Sequence, residues 1–182
     1  MEKTVLPVLE YVRRQIDGSL RPNDTTQLEY PPPAWTRLGF RLVSADAGSA
    51  TIETMADRDV IGSQLGTVHG GFLAELADAT MGTAHSTWLE PGQTLTTIDL
   101  SVKFLRPVWR ELLTARAAAT HRGRTISHYS CVIVREDGKQ VATATCTVMT
   151  LSGTTAADRS RVGLGERFDA STPLSAASSG GA

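Results

Sequence analysis

The chain has 182 residues, 41% of them hydrophobic, and a formal net charge of −1. That length fits a single domain with a sizeable core, and the near-zero charge speaks against partners held by bulk electrostatics, so neither nucleic acid nor an anionic membrane is expected. No apolar run approaches membrane-spanning length, and Met1-Glu2-Lys3-Thr4-Val5-Leu6-Pro7 lacks the apolar core of a signal peptide, which makes the cytoplasm the default address.

In chain order, Val5, Leu9, Val12 and Ile16 mark a short amphipathic helix closed by Asp17-Gly18-Ser19. The segment through Pro31-Pro32-Pro33 reads as a loop-like arm, because consecutive prolines suit neither helix nor sheet interior. Two β-rich runs between Leu38 and Met55 flank Asp46-Ala47-Gly48 and predict a hairpin, followed by a loop from Ala56 to Val68. From Gly70, the stripe Phe72, Leu73, Leu76, Ala77, Thr80, Met81 and Ala84 has the i, i+3, i+4 spacing of a long helix that reaches about Trp88 and stops before Pro91-Gly92. Strands are then expected over Thr94 to Leu105, Leu112 to His121, and Thr125 to Glu136 paired with Lys139 to Leu151 through Asp137-Gly138. In the first of these, Thr97, Asp99, Ser101 and Lys103 alternate with Ile98, Leu100, Val102 and Phe104, which predicts one buried and one wetter face. Beyond Ser152 the chain is rich in Ser, Ala, Gly and Thr and is expected to stay mobile. The organisation is therefore α+β: a helix and arm over 1–34, a main domain with one long helix and a curved antiparallel sheet over 35–151, and a tail over 152–182. No internal repeat is visible.

The start of the long helix carries most of the chemistry. Gly66-Thr67-Val68-His69-Gly70-Gly71 leads into it, and its first amide hydrogens lack intrahelical acceptors at the positive end of the dipole, so they suit an oxygen that gains negative charge. Asp78 follows two turns later among apolar neighbours. Its plainer reading is a solvated carboxylate, and the rival one turn earlier, Glu75, can equally serve the helix dipole. The glycine pair can equally reflect tight helix packing. Cys131 and Cys146 flank the Asp137-Gly138 turn and lie diagonal across a hairpin, so reduced core thiols are expected rather than a disulfide. His69, His85, His121 and His128 show no metal-ligand spacing, and no metal is expected.

Helix geometry adds a constraint. Gly71 and Asp78 are seven residues apart, about 10 Å along the axis, and one reacting carbon cannot lie within about 3 Å of both. An antiparallel helix from a two-fold partner would bring Asp78 of one copy opposite Gly71 of the other, so a site shared between two subunits is expected.

The strings Gly66-Thr67-Val68-His69-Gly70-Gly71, Leu76-Ala77-Asp78 and Thr97-Ile98-Asp99-Leu100, with Phe104-Leu105-Arg106-Pro107, resemble the hotdog-fold acyl-CoA thioesterases, in particular the subgroup related to the phenylacetate-degradation thioesterase. The resemblance covers about residues 35 to 150 in order. It implies a long central helix wrapped by an antiparallel sheet, dimers and commonly homotetramers, and hydrolysis of acyl-CoA with no metal or redox cofactor, coenzyme A being part of the substrate. It further implies that the Gly71 amide holds the thioester oxygen, that Asp78 is nucleophile or general base, that His69 orients the helix start, and that the Thr97 hydroxyl positions water or the carboxylate. The plainer alternatives are a loop brace for His69 and a β-favouring residue for Thr97. Six residues before the histidine, where relatives carry Asn or Gln, this chain has Ser63, with Gln64 beside it.

The phosphates of coenzyme A suit arginine forks, and Arg122, Arg124 and Arg106 are the candidates, their alternative being solvated turns. Trp35, Phe40, Phe72 and Trp88 are candidates for an acyl pocket or for core. An aryl or medium-chain acyl group is the leading expectation. A hydratase or dehydratase would need a His with a carboxylate, and the one histidine on the helix, His85, comes seven residues after Asp78. A non-catalytic acyl-CoA-binding protein should carry a DNA-binding element or partner surface, where the sequence offers one short helix and a proline arm.

Overall fold

One long helix lies across a six-stranded antiparallel sheet, and an N-terminal arm closes one edge of that sheet. The computed structural model describes residues 3–153 and Ala156. In chain order the elements are β1 (Thr4–Val5), α1 (Val8–Asp17), β2 (Asp24–Thr25), α2 (Pro33–Leu38), β3 (Arg41–Asp46), β4 (Ser49–Asp57), α3 (Arg58–Ile61), α4 (Gly70–Ser86), β5 (Thr94–Phe104), β6 (Arg110–Arg122), β7 (Ile126–Arg135) and β8 (Gln140–Leu151). The sheet runs β3-β4-β6-β7-β8-β5, with β3 and β5 at its edges. Strands β4 and β7 alternate cleanly between buried and wetter positions, as a sheet covered on one face must. Leu76, Ala77, Met81 and Ala84 of α4 pack with Ile52, Leu113, Ile133 and Val148 of the sheet in one buried cluster. This is the α+β hotdog arrangement that the resemblance implies.

Several local expectations are corrected. Val5 is 70% exposed in the short β1, which pairs in parallel with β2, and the helix begins only at Val8. Its buried side is Val8 and Val12, packed with Ala45 of β3, while Ile16 faces solvent. Three prolines do not keep the arm free of helix: Pro33 opens α2, where a missing N–H costs nothing. The segment expected as a loop from Ala56 to Val68 contains the end of β4 and the single turn α3. Helix α4 ends at Ser86, and the later strands differ from expectation by one or two residues at their ends.

Of the expected buried face of β5, Val102 packs partly buried against the core and the rest is open. Ile98 is 52%, Leu100 37% and Phe104 56% exposed, because β5 is an edge strand and its register against β8 shifts between Thr97 and Asp99. The arm is anchored by the pair Arg13–Asp46 and by the Tyr30 hydroxyl, 2.6 Å from Ser86 Oγ at the end of α4, while Arg14–Asp24 ties its own helix to β2. Cys131 and Cys146 are buried free thiols on diagonal positions, with Tyr129 opposite Cys146 and Cys131 opposite Ala144. Burial pushes both thiols up to about 12. Apart from Ser152, Gly153 and Ala156, the expected mobile tail lies outside the described residues. Among the described residues no helix is long and apolar enough to cross a membrane.

Candidate active site

The first turn of α4 is built by its own N-cap. His69 has extended backbone, and its Nδ1 accepts the Gly71 N–H at 2.9 Å, while its backbone N–H donates to Ile61 O at 2.9 Å. Val68 N–H donates to Val108 O at 2.8 Å, which fixes the strand-like approach to the helix against the segment after β5. The amide expected to hold a thioester oxygen therefore already has an acceptor, the His69 ring. A ligand oxygen at Gly71 must share that N–H or displace the imidazole. His69 thus caps the first turn of α4, a place that Ser, Thr, Asp or Asn fills in most helices.

Ahead of it, Ser63 closes a turn. Its N–H donates to Thr67 O at 2.7 Å, its Oγ accepts from Leu65 N–H at 3.3 Å, and Gly66 supplies the positive φ of 74° that the turn requires. Gln64 stands exposed beside it. Both line a cavity of about 510 Å³ together with His69, Gly70, Leu73, Phe104, Arg106 and Val108.

Asp78 lies half-buried, two turns into α4, where Thr97 Oγ1 of β5 donates to its Oδ1 at 2.9 Å. Cys146 on β8 also feels it: after burial, the charge of Asp78 is the largest cause that raises that thiol. Glu75 is exposed on the same helix, with its carboxyl held above the usual range by partial burial and then by Asp78. Of the two carboxylates, Asp78 is the one held by a partner from the sheet. It has the electron pair for a nucleophile or general base, and a carboxylate fixed by a hydroxyl suits either role.

The three candidate arginines do not come together in one chain. Arg106 sits at the 510 Å³ cavity and donates to Gln140 O at 2.6 Å. Arg122 and Arg124 border a cavity of about 750 Å³ at the other end of α4, with His85, Trp88, Glu90, Gln93, Ser127 and Thr150, and the Arg122 guanidinium lies 4.5 Å from the Trp88 ring centroid. Trp35, Phe40 and Phe72 are core residues, Phe40 and Phe72 meeting edge to face at 5.5 Å, so they do not line the cavity at the helix start. Phe104 and Leu73 do. Sequence reasoning missed them as pocket residues, although an aromatic closing a strand just before Arg106-Pro107 was a signal. His85 is buried away from Asp78, with Nδ1 3.0 Å from Tyr129 Oη and Nε2 2.9 Å from Thr150 Oγ1. Among the described residues no group of three or more His, Cys, Asp or Glu side chains is placed to hold a metal ion.

Comparison with known proteins gives a consistent set. The profile of the thioesterase superfamily matches residues 65–142. A 1,4-dihydroxy-2-naphthoyl-CoA hydrolase of Listeria monocytogenes is 26% identical over 113 residues, 61% of this chain and 89% of that protein. A Haemophilus influenzae protein named as a candidate esterase is 36% identical over 74 residues, 41% of this chain and 54% of its own, so the chain spans about half the length of that curated relative. A solved structure, a phenylacetic acid degradation-related protein of Ralstonia eutropha, superposes with a TM-score of 0.63 at 32% identity, covering 76% of this chain and 98% of that one.

Proposed function

We propose that this chain, which belongs to the thioesterase superfamily of thioester hydrolases, hydrolyses acyl-CoA thioesters whose acyl group is aryl or of medium length. The observation that carries the reading is the Asp78 carboxylate, held by Thr97 on the helix whose first turn presents the Gly71 amide. Asp78 either attacks the thioester carbon, giving an anhydride that water then cleaves, or takes a proton from water that attacks directly. In both routes the C–S bond breaks, the thiolate of coenzyme A leaves and is protonated, and the free acid is released. The oxyanion, sharing the Gly71 N–H with the His69 ring or displacing that ring, is stabilised by this amide and by the dipole of α4. Coenzyme A is part of the substrate, and the reaction needs no further cofactor.

The working unit is a homodimer with shared sites. Within one chain the Gly71 amide and Asp78 are about 10 Å apart along the helix, and the exposed apolar Ile98 and Leu100 on edge strand β5 support an interface with a second copy. An antiparallel pair of α4 helices sets the Gly71 end of one chain beside the Arg122–Arg124 end of the other, where the coenzyme A phosphates would meet cations. His85, buried against Tyr129 and Thr150, does not favour hydratase chemistry at Asp78.

The test is release of free thiol by the purified protein across acyl-CoAs of graded length and aromaticity. Turnover of aryl or medium-chain members supports the reading. Saturable binding of the same compounds without thiol release would favour a non-catalytic acyl-CoA-binding protein instead.

A further inference from the structure

The 510 Å³ cavity at the start of α4 has an apolar floor, Val68, Leu73 and Val108, all buried, and a polar rim that includes Gln64 and Arg106. Its side wall is Phe104, the last residue of β5, paired with Ala142 of β8. The tip of that ring rests on the first residue of α4. A Cβ added to Gly70 would lie 3.0 Å from Phe104 Cζ and 3.3 Å from Cε1 and Cε2, so even a methyl group there would press the ring aside. Phe104 is nonetheless 56% exposed and does not belong to the buried core. An aromatic ring left in the open, seated on a glycine next to the amide proposed to hold the reacting carbonyl, has the placement of a ligand contact rather than a core contact.

Resting on the acyl-CoA reading above, we propose that this cavity receives the acyl group and that Phe104 is the residue that sets which acyl groups fit. A thioester carbonyl at Gly71 sends two arms away from itself. One leads to the phosphates, and burying that polar arm over an apolar floor would cost its solvation. The other is apolar and gains from Val68, Leu73 and Val108. Phe104 favours a flat or extended acyl group that can lie along its face, because aromatic partners stack offset or edge to face. Short acyl groups would leave the wall without contact.

The experiment compares phenylacetyl-CoA with butanoyl-CoA as substrates, and their non-hydrolysable thioether analogues as ligands, in wild type, Phe104→Ala and Phe104→Leu. The ratio of kcat/KM for the aryl over the short substrate should fall at least ~10-fold in Phe104→Ala, the scale of one missing apolar contact in a pocket, with Phe104→Leu between. The thioether Kd ratio should move the same way. An equal loss on both ligands would place the coenzyme A arm in the cavity and overturn the proposal, as would an unchanged ratio. Should Phe104→Ala fail to fold, Gly70→Ala and Leu73→Phe narrow the same space from its wall and floor, and a ratio they leave unmoved overturns it equally. Selective thioether binding without thiol release would remove the hydrolase reading while leaving the pocket assigned; hydrolysis with unmoved selectivity would do the reverse.

Discussion

Thr97 and Asp78 join the edge of the sheet to the middle of the central helix: Thr97 Oγ1 donates to Asp78 Oδ1 at 2.9 Å, and the register of β5 slips at the next residue, Ile98. A bulge re-aims the side chains beside it and adds twist, so the slip and the bond belong together. Thr97→Val keeps the shape and deletes the donor. Its kcat should fall about tenfold or more with KM little changed, the scale of one hydrogen bond to a charged group, while Thr97→Ser keeps most of the activity. Steady-state thiol release checks this; a fully active valine variant would reduce Thr97 to a brace.

Asp78→Ala and Asp78→Asn should each lose at least ~10²-fold in hydrolysis with fold and oligomer intact, as the loss of a general base or nucleophile demands. Circular dichroism and size-exclusion chromatography provide the structural control. If Asp78→Asn turns over normally and Glu75→Gln does not, the chemistry sits one helical turn earlier.

A shared site makes two dead variants complementary. Gly71→Pro removes the amide hydrogen within the first turn, where proline is tolerated best, and Asp78→Ala removes the carboxylate. In a mixed dimer one site combines both defects and the other neither, so up to about half the wild-type activity per heterodimer should return once subunits exchange. Exchange demonstrated by mass spectrometry without recovered activity would mean that the two groups never act across a two-fold axis.

Arg122 and Arg124 should govern affinity rather than turnover. The double alanine variant is expected to raise KM for acyl-CoA about tenfold or more at low salt, less at high salt, with kcat nearly kept, because charge-assisted phosphate contacts are screened by ions. An unmoved KM at both salt levels would take the phosphates away from that end of α4.

His85 links pH to stability. Burial, and then the charge of Arg122, lowers its pKa from 6.5 to about 4, so the folded chain holds it neutral between Tyr129 and Thr150. The unfolded chain binds a proton below pH 6.5 that the folded chain refuses until about pH 4, so stability is full above 6.5 and declines as pH falls through that window. The loss attributable to this one group approaches about 3 kcal/mol. Urea unfolding at several pH values should show that decline in wild type and a flatter profile in His85→Gln.

The parts of the molecule that could be read in the residues are those where pattern and packing agree. The stripe from Phe72 to Ala84 faces a sheet, so its periodicity survives folding; Asp137-Gly138 turns a hairpin wherever it is placed. The reading failed where a partner outside the local window decides. Val5 has the right spacing for the first helix, but pairing of Thr4–Val5 with Asp24–Thr25 takes it into a strand. Ile98, Leu100 and Phe104 alternate as a buried face should, yet edge position and a register slip leave them open in a single chain. At the site, Asp78 was legible from its place on the helix and Thr97 only through the family resemblance, whereas the capping of Gly71 by the His69 ring depends on a χ angle that no spacing encodes. Phe104 escaped as a pocket wall because its seat, Gly70, is adjacent in space and distant in sequence.

Trp88 is held from two sides. The turn between β3 and β4 brings Gly48, at φ 78°, so close that a Cβ there would overlap the indole at 2.0 Å, and the guanidinium of Arg122 covers the ring at 4.5 Å. The remaining tryptophans are elsewhere, Trp35 in the core and Trp109 beside α3. An indole hemmed in on one side, with a cation resting on its face where both line the 750 Å³ cavity, makes Trp88 a candidate optical reporter for that end of the helix. An anion that draws Arg122 away should alter the field on that chromophore, so occupancy of this end of the helix is expected to shift the emission of the unlabelled protein.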